Sequence, residues 1–177
     1  EGKKVLLFDN TQLTTQRANF GPIFSWLSEY LEGQHRAICS HGSQNLLKGS
    51  KEELAKLADG IAHSGVDAVV IALCNAGITQ PTSLFAAELE ICGMPCVQLC
   101  TSLGYPLAGI TASNYAPGLP IILVQPATGN EDEFGKTETH AIAPEIVSGL
   151  TTDPATLLTR FRERFSSGTF HISKNGK

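Results

Sequence analysis

The chain has 177 residues, 42% of them apolar and 17% charged, which suits one globular domain with a sizeable core. Thirteen Lys and Arg against seventeen Asp and Glu leave a net charge of −4, with no basic block, so nucleic acid is not an expected partner. No apolar run approaches the roughly twenty residues that cross a bilayer, and no charged-then-apolar leader opens the chain; a soluble, cytoplasmic protein with no membrane partner is expected.

The start at Glu1, without methionine, suggests a trimmed chain or a piece of a longer one. Residues 3–8, Lys-Lys-Val-Leu-Leu-Phe, form a first strand closing on Asp9-Asn10. The polar stretch 11–19 reads as a loop, longer than the usual two to six residues and therefore a hint of function. Apolar residues at 23, 24, 27, 30 and 31 predict a helix over 22–31, ended by Gly33. Residues 35–39 form a short second strand, followed by a polar loop over 40–45 that carries His41. Ser50 and Glu53 have the spacing of a capping box, and the helix they open runs to about Ser64 before Gly65.

Asp67-Ala-Val-Val-Ile-Ala-Leu73 is apolar after its first residue and rich in β-branched types, the pattern of a strand buried on both faces. Pro81 suits the first turn of the next helix, which places Cys74 on a strand-to-helix loop. A helix N-terminus nearby favours thiolate over thiol. After Gly93-Met94-Pro95 come a fourth strand over 96–100, a helix over 106–115 and a fifth strand over 119–124. Two helices follow, over 137–149 with Pro144 inside it and over 154–165. Strand and helix alternate throughout, which predicts a single α/β domain over 1–165, with 166–177 as a frayed or tag-derived tail. The expected architecture is a three-layer, doubly wound sheet, mostly parallel, of about five strands.

Five cysteines, an odd number, read as cytosolic thiols rather than a disulfide framework. Cys92, Cys96 and Cys100 have no histidine at ligand spacing, so no metal site is assigned, and Cys92 and Cys96 read as small core residues. No phosphate-binding Gly-x-x-x-x-Gly-Lys-Ser/Thr, no Gly-x-Gly-x-x-Gly after a strand and no Gly-x-Ser-x-Gly occurs. No nucleotide or other cofactor is expected.

With the flavodoxin-like strand order 2-1-3-4-5 as the working arrangement, the winding reverses between strands one and three, where such sheets bind ligands. Asp9-Asn10 and Cys74-Asn75 would then flank one crevice, with His41 on one side and Thr101-Ser102 on the other. His41, or failing it Asp9, is the expected proton-transfer partner of the thiol.

Leu6-Leu7-Phe8-Asp9-Asn10, Asp67-Ala-Val-Val-Ile71, Glu88-Leu89-Glu90 with Gly93-Met94-Pro95, then Thr101, and Gly118-Leu119-Pro120 together resemble the UGSC family, named for a selenocysteine-Gly-Ser-Cys motif. The resemblance implies a cysteine or selenocysteine nucleophile on the loop after strand three, a role only Cys74 can fill here. The motif's last cysteine is missing, with Gly77 or Ile78 in its place, and Gln125 stands where the family has a histidine after strand five. The leading expectation from the residues is a cofactor-independent lyase, hydrolase or transferase: Cys74 as nucleophile or acid/base, Asp9 and His41 assisting, and Asn10, Asn75, Thr101, Ser102 and Gln125 binding a small organic substrate.

Leu73-Cys74-Asn75-Ala76 and Leu99-Cys100-Thr101 also resemble the paired cysteine motifs of aspartate/glutamate racemases, although those enzymes set their two cysteines on opposite halves of a two-domain cleft. A non-catalytic small-molecule-binding domain is the third reading. A homodimer is expected on the prevalence of closed two-fold assemblies.

Overall fold

The structure, a computed structural model, describes residues 1–10, 21–47, 49–72, 79–124 and 132–165. In chain order the elements are β1 (Lys4–Asn10), α1 (Gly21–His35), β2 (Ile38–Gln44), α2 (Lys51–Ala62), β3 (Ala68–Ala72), α3 (Thr79–Ile91), β4 (Cys96–Cys100), α4 (Tyr105–Tyr115), β5 (Ile121–Leu123), α5 (Asp132–Thr151) and α6 (Pro154–Phe165). All strand pairings are parallel and the order is β2-β1-β3-β4-β5.

Right-handed crossovers then put α1 on one face of the sheet and α2, α3 and α4 on the other, and α5, after the last strand, packs beside α1. The packing agrees: α1 meets α5, while α3 lies between α2 and α4. Covered on both sides, β3 and β4 are buried at every position, which is why their sequences are apolar without alternation. Phe8 of β1 packs on Phe85 of α3, ring centroids 5.2 Å apart. On the opposite face a Cβ at Gly135 of α5 would come 2.6 Å from the Trp26 ring of α1, so only glycine permits that approach. Lys136 and Glu29 bridge the same two helices at 2.6 Å.

Local signals account for the boundaries. Ser50 Oγ accepts from the Glu53 N–H and the Glu53 carboxylate accepts from the Ser50 N–H, the reciprocal capping box that opens α2. Gly65 and Gly93 follow α2 and α3 at positive φ, 82° and 77°, where a side chain would strain the turn. α6 lies along the outer edge of the sheet. Arg164 Nη1 donates to the Ile121 carbonyl at 3.3 Å and Phe165 packs on Tyr105 of α4, so the edge of β5 is covered.

The second strand differs from its sequence reading. It spans Ile38–Gln44 rather than 35–39, because α1 runs through Gly33 to His35 and the polar run after Cys39 pairs with β1 along its whole length. An edge strand with one neighbour can be polar and still be a strand. The expected loop over 40–45 is therefore mostly β2, and His41 lies in the middle of a strand.

Candidate functional site

The carboxyl ends of β1, β3, β4 and β5 lie side by side, and the winding reverses between β1 and β3. Asp9 is in register with Ser43 on one side and Ala72 on the other. Neighbouring strands lie about 4.8 Å apart, so Asp9 stands next to the end of β3, two residues before Cys74 in the chain. Cys74 and Asn75 lie outside the described residues, as does Gln125.

Asn10 ends β1 fully buried. Its Nδ2 donates to Thr82 Oγ1 of α3 at 2.6 Å and its Oδ1 accepts from the Leu46 N–H at 3.0 Å. One amide thus joins three parts of the chain: the end of β1, the first turns of α3 and the segment after β2. Thr79, Thr82 and Ser83 are all buried, so the N-terminal part of α3 presses small polar side chains, not bulky apolar ones, against the sheet.

Thr101 follows β4 and is half-buried. Its carbonyl accepts from the Gly104 and Tyr105 N–H groups, at 3.0 and 3.1 Å, and from the Cys100 thiol at 3.3 Å, which turns the chain into α4. Ser102 is exposed and forms part of the wall of a cavity of about 260 Å³ together with Ile23, Leu123, Val124, Glu138 and Ile142. A mainly apolar hollow with two hydroxyls, from Ser102 and Thr139, and one carboxylate suits a compact organic molecule. A hollow of about 310 Å³ lies at the opposite, amino end of the sheet. There Lys3 and Asp67 bond to each other at 2.8 Å, and Asp67 also accepts from the Lys4 N–H. Both charges are spent on the fold.

His41 is not with this group. It pairs in register with Leu7, two residues before Asp9, which sets it about 7 Å down the sheet. Its Nε2 lies 3.2 Å from Ser28 Oγ and its ring meets Phe24 edge-on, both on α1. The sequence reading placed it on the loop at the crevice; the longer β2 moves it onto the outer strand.

Among the described cysteines every thiol is pushed up. Burial raises Cys100 to about 12 and Cys96 well above its ordinary value. Desolvation also raises Cys39, with Glu32 adding to it, and Cys92, beside Asp59 and Glu88. All four are free thiols, and no group of three or more His, Cys, Asp or Glu among the described residues is placed to hold a metal ion.

Three residues were not singled out from the sequence. Thr82 carried no signal beyond being a threonine early in a helix. Gln98 did, as the one polar side chain in a buried strand; it faces α3 and α4 with neither amide atom hydrogen-bonded. Glu138 carried no signal beyond being an acidic residue in a helix, α5, that starts at Asp132 rather than at 137.

No family model matches this chain, and none of the curated proteins compared with it does. No described helix is long and apolar enough to cross a membrane.

Proposed function

We propose that the protein is a cofactor-independent, cysteine-dependent enzyme, similar to the UGSC family, that acts on a small organic molecule at the carboxyl ends of β1, β3 and β4. The observation that carries this reading is the register of Asp9 with Ala72 at the reversal of winding, which sets a carboxylate beside the strand that leads into Cys74. Cys74 acts as nucleophile or acid/base. In the nucleophilic form its sulfur bonds to an electrophilic carbon, the thiol proton passes to the Asp9 carboxylate, and the displaced electron pair moves to the carbonyl oxygen or leaving group. That scheme covers a lyase, hydrolase or transferase.

Asp9 is better placed than His41 for proton transfer, because His41 sits two residues lower, on the edge strand, and has no register partner in β3. Ser102 and Glu138 line the hollow that would seat the substrate, and Asn75, Thr101 and Gln125 are further candidates for contacting it. Asn10 serves the reading by holding β1 against α3. Four high thiols among the described residues leave Cys74 as the candidate nucleophile. A reducing, cytoplasmic setting and a homodimer belong to the same proposal.

The racemase-like reading needs Cys100 as a second base. Buried, and donating to the Thr101 carbonyl, Cys100 is held as a thiol, which favours the one-cysteine scheme. A binding domain without turnover remains the other outcome. Thiol-reactivity profiling with candidate carbonyl compounds separates them: an enzyme forms a Cys74 adduct that turns over, whereas a binding domain protects the site without product.

A further inference from the structure

We infer that the hollow at the carboxyl ends of β4 and β5 takes a compact organic cation, a primary ammonium group on a short apolar body, with Glu138 as its counter-charge. The inference rests on the seat that the proposed function gives the substrate and names the chemistry that fits it. Ile23 of α1, Leu123 and Val124 at the end of β5 and Ile142 of α5 form the apolar wall. Glu138, half-buried, is the one charged side chain in that lining, and it makes no hydrogen bond or ion pair with any described residue. A carboxylate on an apolar hollow bears the cost of its partial desolvation until a cation offsets it. The hydroxyls point the same way. Thr139 donates its proton to the Gly135 carbonyl at 2.8 Å, so what it has left for a ligand is an acceptor. An ammonium group has three donors and no acceptor, which matches a carboxylate and a spent hydroxyl.

The opposite charge finds no partner here. α1 carries no Lys or Arg and residues 91–130 carry none. The single one on α5, Lys136, is bonded to Glu29 at 2.6 Å. No element that walls the hollow therefore has a free Lys or Arg for a carboxylate or phosphate among the described residues, and Glu138 would repel either. A neutral molecule could fill the apolar part but would leave the carboxylate unpaired. At about 260 Å³ the hollow lies just below the range that takes drug-sized ligands, so the body of the cation is short.

Butylammonium, butyrate and butanol, alike in length and different in charge, test this by methyl-resolved NMR of the whole chain. Butylammonium should shift the Ile23, Leu123, Val124 and Ile142 methyls saturably, with a Kd at least about tenfold below that of butanol, and butyrate should leave them unmoved. Glu138→Gln should close the gap between ammonium and alcohol. Unchanged emission from Trp26, whose ring lies against Gly135 in the same helix as Glu138, checks that α5 keeps its place in the variant. Butyrate or butanol bound as tightly as butylammonium, a preference for the ammonium that survives Glu138→Gln, or no methyl shift with any of the three overturns the inference. Timed alkylation of Cys74 under saturating butylammonium separates it from the function it rests on. Slowed labelling supports both. Shifted methyls with labelling at the unliganded rate support the ammonium site and overturn its use by a Cys74 enzyme.

Discussion

Asn10 and Thr82 are joined side chain to side chain, Nδ2 to Oγ1, at 2.6 Å, and the same amide accepts from the Leu46 backbone at 3.0 Å. A residue that the sequence suggests for substrate binding is thus also a clasp between β1, α3 and the segment after β2. Asn10→Ala should cost about 2–3 kcal/mol in urea unfolding, since buried groups on two segments lose their partner. A stable Asn10→Ala protein with a raised KM would instead make substrate binding its main role.

Two glycine substitutions should move stability in opposite directions. Gly149→Ala puts a Cβ 2.7 Å from Val97 Cγ2 and 3.1 Å from Pro120, at the packed contact of α5 with the sheet, and should cost about 1–3 kcal/mol. Gly60→Ala in α2 meets nothing within 4 Å and should gain about 0.5–1 kcal/mol from helix propensity. Thermal melts of the two variants check both signs.

Stability near the acid end should depend on Asp67. Lys3, hydrogen-bonded to it, and the Lys4 N–H hold its carboxyl below the ordinary value of 3.8. A depressed carboxyl stabilises the fold above its unfolded value and loses that contribution as pH falls through the folded one. Glu90 runs the other way: burial raises it, opposed by the Cys96 N–H, so its contribution declines as pH rises from 4.5 through the raised value. Asp67→Asn should flatten the acid limb of a stability profile below about pH 4, and Glu90→Gln should remove the decline above about pH 4.5.

Much of the fold was legible in the sequence, and what was not has physical causes. β4 and α6 have the expected bounds, and the Ser50–Glu53 box marks the start of α2 as read. β2 was misplaced because its residues are polar; pairing with β1, not burial, makes them a strand. The early start of α5 was not legible because Gly135, a weak helix former kept there by the close Trp26 ring, sits in its first turn. That β1 and β3 end side by side, with Asp9 next to Ala72, could be read from the assumed strand order. The partner of Asn10 could not, because the Asn10–Thr82 contact joins residues 72 apart.

Asp9 and His41 should separate cleanly once a substrate is in hand. Asp9→Asn should lower kcat by about 10²-fold or more, the scale of general acid–base help, and remove a limb of the pH–rate profile. His41→Ala should leave kcat within about threefold, because Ser28 and Phe24 hold that ring against α1 on the edge strand. The reverse result would make His41 the proton-transfer group and require the edge strand to reach the substrate.

The central claim is that Cys74 is the reactive thiol, and timed alkylation of the native protein near pH 7, read cysteine by cysteine by peptide mass spectrometry, tests it most directly. Cys96 and Cys100 are buried high thiols, and Cys39 and the exposed Cys92 are raised as well, so labelling should begin at Cys74. Cys74→Ala should remove that fastest phase, and turnover with it, while the protein melts as before. First labelling at Cys39, Cys92 or Cys100, or full activity in Cys74→Ala, would contradict the account.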